Sequence, residues 1–221
     1  APSLAIAAAL VAFTAHAAGT LERAARAEDV GLSTERLERL TATLEQYVAD
    51  DELAGSVTLI ARRGKVAYLQ AVGQRDRESR APMGTDSIFR IASQTKAIVS
   101  VGALILAEEG KLLLADPVGK YLPEFRATTV AVARQDGGYD VAAPPRPITI
   151  RDLLTHTSGY GYGNGVGEDR WAAAGIQGWY FADRDEPMRA TVERIAQLPA
   201  HAHPGERWIY RYNTDILGRL I

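Results

Sequence analysis

The sequence predicts an α+β fold with few strands, and three observations carry that reading. Two β-branched, apolar-rich runs in "GSVTLIARRGKVAYLQAVG" are separated only by Arg63-Gly64, which is a hairpin signal. Between that hairpin and the last residue, apolar positions recur mostly at helical spacing. No internal repeat is evident, and 47% hydrophobic with 24% charged residues is ordinary for a globular chain of 221 residues.

The first stretch, "APSLAIAAALVAFTAHAAGT", reads as the apolar core of a secretory signal. Ala15-His16-Ala17 supplies the small-x-small pattern expected before a cleavage point. It is too short and alanine-rich to be a convincing membrane span, so no stable membrane insertion is expected. Residues 1–18 are therefore assigned to a signal remnant, 19–32 to a linker and 33–221 to the folded domain, in a periplasmic or secreted protein. Leu37, Leu40, Leu44, Tyr47 and Val48 then fall on one helical face, with Ser33 or Thr34 placed to cap its start. After the hairpin and a polar stretch comes "FRIASQTKAIVSVGALILAEEG", a helix from near Ser93 that Gly110 closes and whose run after Lys96 is apolar enough to be buried. Residues 127–147 read as an irregular excursion with a small hairpin. Order returns at "ITIRDLLTHTSG", where Thr149 and Asp152 have capping-box spacing. "GYGYGNGVGED" is a glycine-rich loop without the GK[ST] of a phosphate cradle. "DEPMRATVERIAQLPA" is a short helix with Pro187 in its first turn, and "NTDILGRLI" is the final helix.

Composition narrows the chemistry. A net charge of -2 argues against a nucleic-acid partner held by electrostatics. With no cysteine there is no disulfide, thiolate metal site or cysteine nucleophile. Four histidines and no HExxH leave little to build a metal site from.

The segment around Ser93 contains an apparent design error. Lys96 sits in the first turn of its helix, where aligned peptide dipoles disfavour a cation. The Ser93 to Lys96 spacing of i to i+3 puts both side chains on one face. A serine hydroxyl is a weak nucleophile until a base takes its proton. Burial and a positive helix end both disfavour the charged form of a lysine, which suits it to be that base. Backbone N–H groups at the same helix end could stabilise an oxyanion.

"FRIASQTKAIVSVGALILAEEGKLLLADPVGKYLPEF" resembles the nucleophile segment of the serine β-lactamase-like hydrolases, which include class C β-lactamases, D-alanyl-D-alanine carboxypeptidases and family VIII esterases. "ITIRDLLTHTSG" and "PGERWIYRYNTDILGRLI" resemble the next two family blocks, in the family's order. The resemblance implies a β-lactamase/transpeptidase-like fold, with a sheet flanked by helices and a further helical region. It implies that Ser93 is acylated, that Lys96 is its general base and that a tyrosine opens the second catalytic motif. Counting back from Leu217-Gly218 selects Tyr210. The family's usual asparagine two places later is replaced by Tyr212, with Asn213 one place beyond. That departure favours an esterase-like or peptidase-like hydrolase, with Tyr212 and Asn213 as substrate-binding candidates and Asn213 also as a helix N-cap. No cofactor or metal is implied. The expected partner is a small-molecule ester, β-lactam or D-amino-acid peptide, and the alternative is a non-catalytic penicillin-recognition protein of the same fold. His156 is expected to be structural, because no G-x-S-x-G elbow supports a Ser-His-Asp triad. Trp171, Trp179 and Tyr180 are candidates for a substrate wall. The family's remaining strands and third catalytic motif lie C-terminal to the tyrosine motif, so this span alone is expected to be unstable and nearly inactive.

Overall fold

The computed structural model describes residues 21–182 and 184–221, so the assignment of 1–18 to a signal lies outside the described residues. The chain divides into two compact units, one ending at Arg90 and the other running from Ile91 to Ile221.

The first unit is a small sheet with one helix. Strands β1 (Glu22–Arg23), β2 (Gly55–Arg62), β3 (Lys65–Asp76) and β4 (Ala81–Pro82) all meet at β3. β2 and β3 form the expected hairpin, in register Arg62 to Lys65. Its two-residue loop has Arg63 at φ 52° and Gly64 at φ 73°. Two successive positive φ values make the turn whose twist matches that of paired strands. Helix α1 (Thr34–Ala49) starts at Ser33, whose side chain accepts from the Arg36 N–H. It packs on β3, where the Thr41 hydroxyl and Tyr68 hydroxyl are 2.8 Å apart.

The expected linker is ordered over its described part. β1 pairs in parallel with β3, and a 3₁₀ turn at Ala27–Val30 buries both of its end residues. Arg62 donates to the Gly31 carbonyl at 2.6 Å. Apolar residues at Ala27 and Val30, three apart, are the signal that separates this segment from a solvated linker.

The second unit is mainly helical. Helix α2 (Thr95–Glu108) ends as expected, with Gly110 at φ 70° and the Gly110 and Lys111 N–H groups returning to Ala107 and Leu106. β5 (Val130–Ala133) and β6 (Tyr139–Ala142) form the small hairpin expected in the excursion. Helix α3 (Ile150–Leu154) carries the Thr149–Asp152 capping box, and Arg146 clasps the same carboxylate at 2.6 and 2.9 Å. α4 (Glu168–Ala173), α5 (Met188–Ile195) and α6 (Asn213–Leu220) complete the unit, and α6 packs against α2, α3 and α5. Its core includes Leu122, Ile150, Leu153, Trp171, Ile195 and Leu217. Among the described residues, no helix is long and apolar enough to cross a membrane.

Within this unit, α6 covers part of α2: Ala103 is buried, while the described residues leave Ile98 64% and Val101 55% exposed. One expectation is corrected here. Trp171 is not a wall for substrate. It is fully buried, and its indole N–H donates to the Pro199 carbonyl at 2.9 Å.

Candidate active site

The chain approaches α2 through a strained turn. Ala92 has φ 44°, a conformation that a residue with a Cβ rarely adopts, and residues Ala92–Gln94 form a 3₁₀ turn that runs straight into the helix. Ser93 sits in that turn and is exposed. No side chain caps the start of α2; the 3₁₀ turn feeds it instead, with the Gln94 N–H donating to the Ile91 carbonyl at 3.0 Å and the Thr95 N–H to the carbonyls of Ala92 and Ser93. Lys96, the second residue of the helix, is half-buried.

Tyr210 is brought to the same place from the far end of the chain. The segment before α6 is tied to the LLTHTSG block by the Ile209 N–H, which donates to the His156 carbonyl at 2.7 Å. Lys96 Nζ then lies 5.0 Å from the centroid of the Tyr210 ring. The amine of Lys96 therefore faces the phenol ring of Tyr210. The three residues expected to act together are gathered within one unit.

Three further side chains belong to this cluster, none of them expected there from the sequence. His156 adopts φ 57°, and its ring is 4.8 Å from that of Tyr210. Burial, reinforced by the charge of Lys96, holds its imidazole below the usual histidine range. Trp208 stacks on Tyr210 at 5.8 Å and 26°, and the edge of its ring meets His156 at 6.1 Å. Asp215, in the first turn of α6, is partly buried. Burial pushes its carboxyl up to about 6 against the opposing pull of Lys96. An acidic residue five places after Tyr210 was a visible signal, but only burial distinguishes it from a residue favoured by the helix dipole.

Tyr212 and Asn213 lie beneath the surface instead of lining it. Tyr212 is 2% exposed, packs its ring against Tyr162 and Phe181, and donates its hydroxyl to the Gly178 carbonyl at 2.9 Å. Asn213 is fully buried. It accepts from the Ser158 hydroxyl and donates to the carbonyls of Ile209 and Tyr160, at 3.0 and 3.5 Å. Their expected role as substrate contacts is therefore replaced by a packing role. The N-cap expectation for Asn213 is corrected too: Tyr212 occupies that position, and the Asn213 amide is spent on Ser158, Tyr160 and Ile209. Replacing Ser158 with alanine leaves the Asn213 carbonyl oxygen without that donor in a dry site. The expected cost is about 1–2 kcal/mol, read by urea unfolding.

Ser93 thus lies one helical turn from Lys96, whose amine meets the Tyr210 ring, in the 3₁₀ turn that leads into α2. That set can pass a proton from an attacking hydroxyl to a departing group without a metal. Among the described residues, no group of three or more His, Cys, Asp or Glu is gathered as metal ligands.

Comparison with known proteins bears on the family and the fold. The sequence profile described as Beta-lactamase matches residues 40–221. Esterase EstB of Burkholderia gladioli is 39% identical over 188 residues, covering 83% of this chain and 44% of that protein. The solved structure of EstCE1, a hydrolase with promiscuous acyltransferase activity, superposes with a TM-score of 0.68 at 32% identity, over 83% of this chain and 45% of that one. Unliganded simvastatin synthase (LovD) of Aspergillus terreus gives a TM-score of 0.65 at 25% identity, over 85% and 49%. The chain spans less than half the length of each of these relatives. Its ordered blocks, its fold and these matches together make it a member of the beta-lactamase family.

Proposed function

We propose that the whole protein is an exported serine hydrolase that works through an acyl-enzyme on Ser93, with carboxylic esters as its preferred substrates. The observation that carries this reading is the meeting of Lys96 and the Tyr210 ring at 5.0 Å, one helical turn from Ser93. Lys96 takes the Ser93 proton as Oγ bonds to the carbonyl carbon. The carbon–oxygen bond to the leaving group then breaks, and the departing alkoxide takes a proton relayed from Lys96 through the Tyr210 hydroxyl. Water attacks the acyl carbon in the second half, and Ser93 leaves with a proton by the same route in reverse.

Esters are favoured over β-lactams because Tyr212 and Asn213, at and beyond the place of the family's amide-binding asparagine, are both committed to buried contacts. Similarity to proteins described as esterases supports the same choice. The apolar stretch before Ala18 supports export. Mass spectrometry after treatment with a fluorophosphonate tests the assignment: one adduct is expected, on the peptide carrying Ser93, and none in Ser93→Ala. An adduct elsewhere would refute it. A chromogenic cephalosporin turned over faster than a short-chain nitrophenyl ester would overturn the substrate class.

A further inference from the structure

Trp208 is 65% exposed although it is one of the largest apolar side chains in the chain. One side of its ring is occupied, by the offset stack on Tyr210 at 5.8 Å and 26°. His156 supports the pair from the edge, 6.1 Å from Trp208 and 4.8 Å from Tyr210. The support is stiff: His156 is in a left-handed conformation, and its carbonyl holds the Ile209 N–H between the two aromatic residues. The result is a flat aromatic surface whose apolar remainder is largely uncovered by the described residues, immediately beside the phenol assigned to protonate the leaving group in the mechanism above. A scattered exposed tryptophan needs no explanation, but this one is built into the wall that holds Tyr210.

We propose that Trp208 is the specificity-determining contact for the alcohol portion of the substrate, and that it selects esters of flat aromatic alcohols. The inference rests on the acyl-enzyme reading and deepens it by naming the leaving-group class. An oxygen that receives its proton from Tyr210 must lie within hydrogen-bonding reach of that hydroxyl. The group bonded to that oxygen then falls beside the stacked indole, where an aromatic ring gains an offset contact and a small alkyl group does not.

The whole protein is assayed with 2-naphthylmethyl acetate and ethyl acetate, in wild type, Trp208→Ala and Trp208→Phe. The ratio of kcat/KM for the two esters is expected to fall about tenfold in Trp208→Ala and to be largely kept in Trp208→Phe, the range that aromatic contacts supply. An unchanged ratio in Trp208→Ala overturns the proposal. Binding of 2-naphthylmethanol by equilibrium dialysis gives a second readout that needs no catalysis, with a similar loss expected in Trp208→Ala. Dialysis unaffected by the substitution counts against the site whatever happens at Ser93. Trp208-dependent binding in a protein whose Ser93 takes no fluorophosphonate would instead retain the aromatic site and remove the hydrolase reading.

Discussion

Lys96→Ala is expected to lower kcat/KM for a short-chain ester by about a hundredfold to ten-thousandfold, the range spanned by positioned acid–base groups. Lys96→Arg is expected to fail to a similar degree. A guanidinium keeps the charge and can still lie over the Tyr210 ring, but it cannot surrender its proton at any working pH. The pair of variants separates two jobs for the same side chain. If Lys96 only holds Tyr210 or attracts an anionic substrate, arginine retains most of the rate; if it accepts the Ser93 proton, arginine is as poor as alanine. Stopped-flow measurement of the acylation burst decides between them, and Lys96→Arg within threefold of wild type would sink the general-base role. Tyr210→Phe is expected to lose rate as well, and the double variant with Lys96→Ala should lose less than the two losses multiplied. Residues that share one proton path act as a unit, so the second deletion removes little that the first had left. Because Lys96 is only half-buried at the first turn of α2, these changes should leave the circular dichroism spectrum intact.

Local chemistry accounts for the parts of this structure that were legible in advance. Arg63-Gly64 between two β-branched runs can close a hairpin in few ways, and Thr149 with Asp152 satisfies its own helix start. Ser93, Lys96 and Tyr210 are singled out by the resemblance of three ordered blocks to the family, to which the helical spacing of Ser93 and Lys96 adds a chemical reason. The misses depend on partners far away in sequence. Asn213 looked like a helix cap because caps are local, yet Ser158, 55 residues earlier, claims its side chain. The missing triad says nothing about what His156 does contact, a ring 54 residues later that it meets at 4.8 Å and a 45° tilt. The apolar faces of α2 are legible in its sequence, but which of them α6 covers depends on residues more than a hundred positions later.

Asp215→Asn is expected to stabilise the protein at neutral pH, by an amount on the order of 2 to 3 kcal/mol. The carboxyl sits near 3.8 in an unfolded chain and is pushed up to about 6 in the fold, chiefly by burial. Between those values the folded chain binds more protons than the unfolded one, so the stability this group confers is fully present below about pH 4. It is lost as pH rises to about 6, beyond which a partly buried carboxylate is a standing penalty. The amide cannot ionise, so the advantage of Asp215→Asn over wild type should grow from near zero at pH 4 to its full size by pH 7. His156 has the opposite dependence, its depressed protonation weakening the fold as pH falls below the ordinary histidine range. It is common to both proteins, as is Lys96, and both largely cancel in the difference. Urea unfolding of the two proteins from pH 4 to 7 reads the quantity directly, and a flat difference would mean that Asp215 is as well solvated in the fold as in the open chain. A destabilising carboxylate held within electrostatic reach of a lysine is difficult to explain as packing. It is the kind of local cost that active sites carry and cores remove, so the stabilising substitution is also expected to alter the pH profile of kcat/KM through Lys96. A stability gain with an unchanged profile would leave Asp215 as a structural burden of α6 with no part in the chemistry.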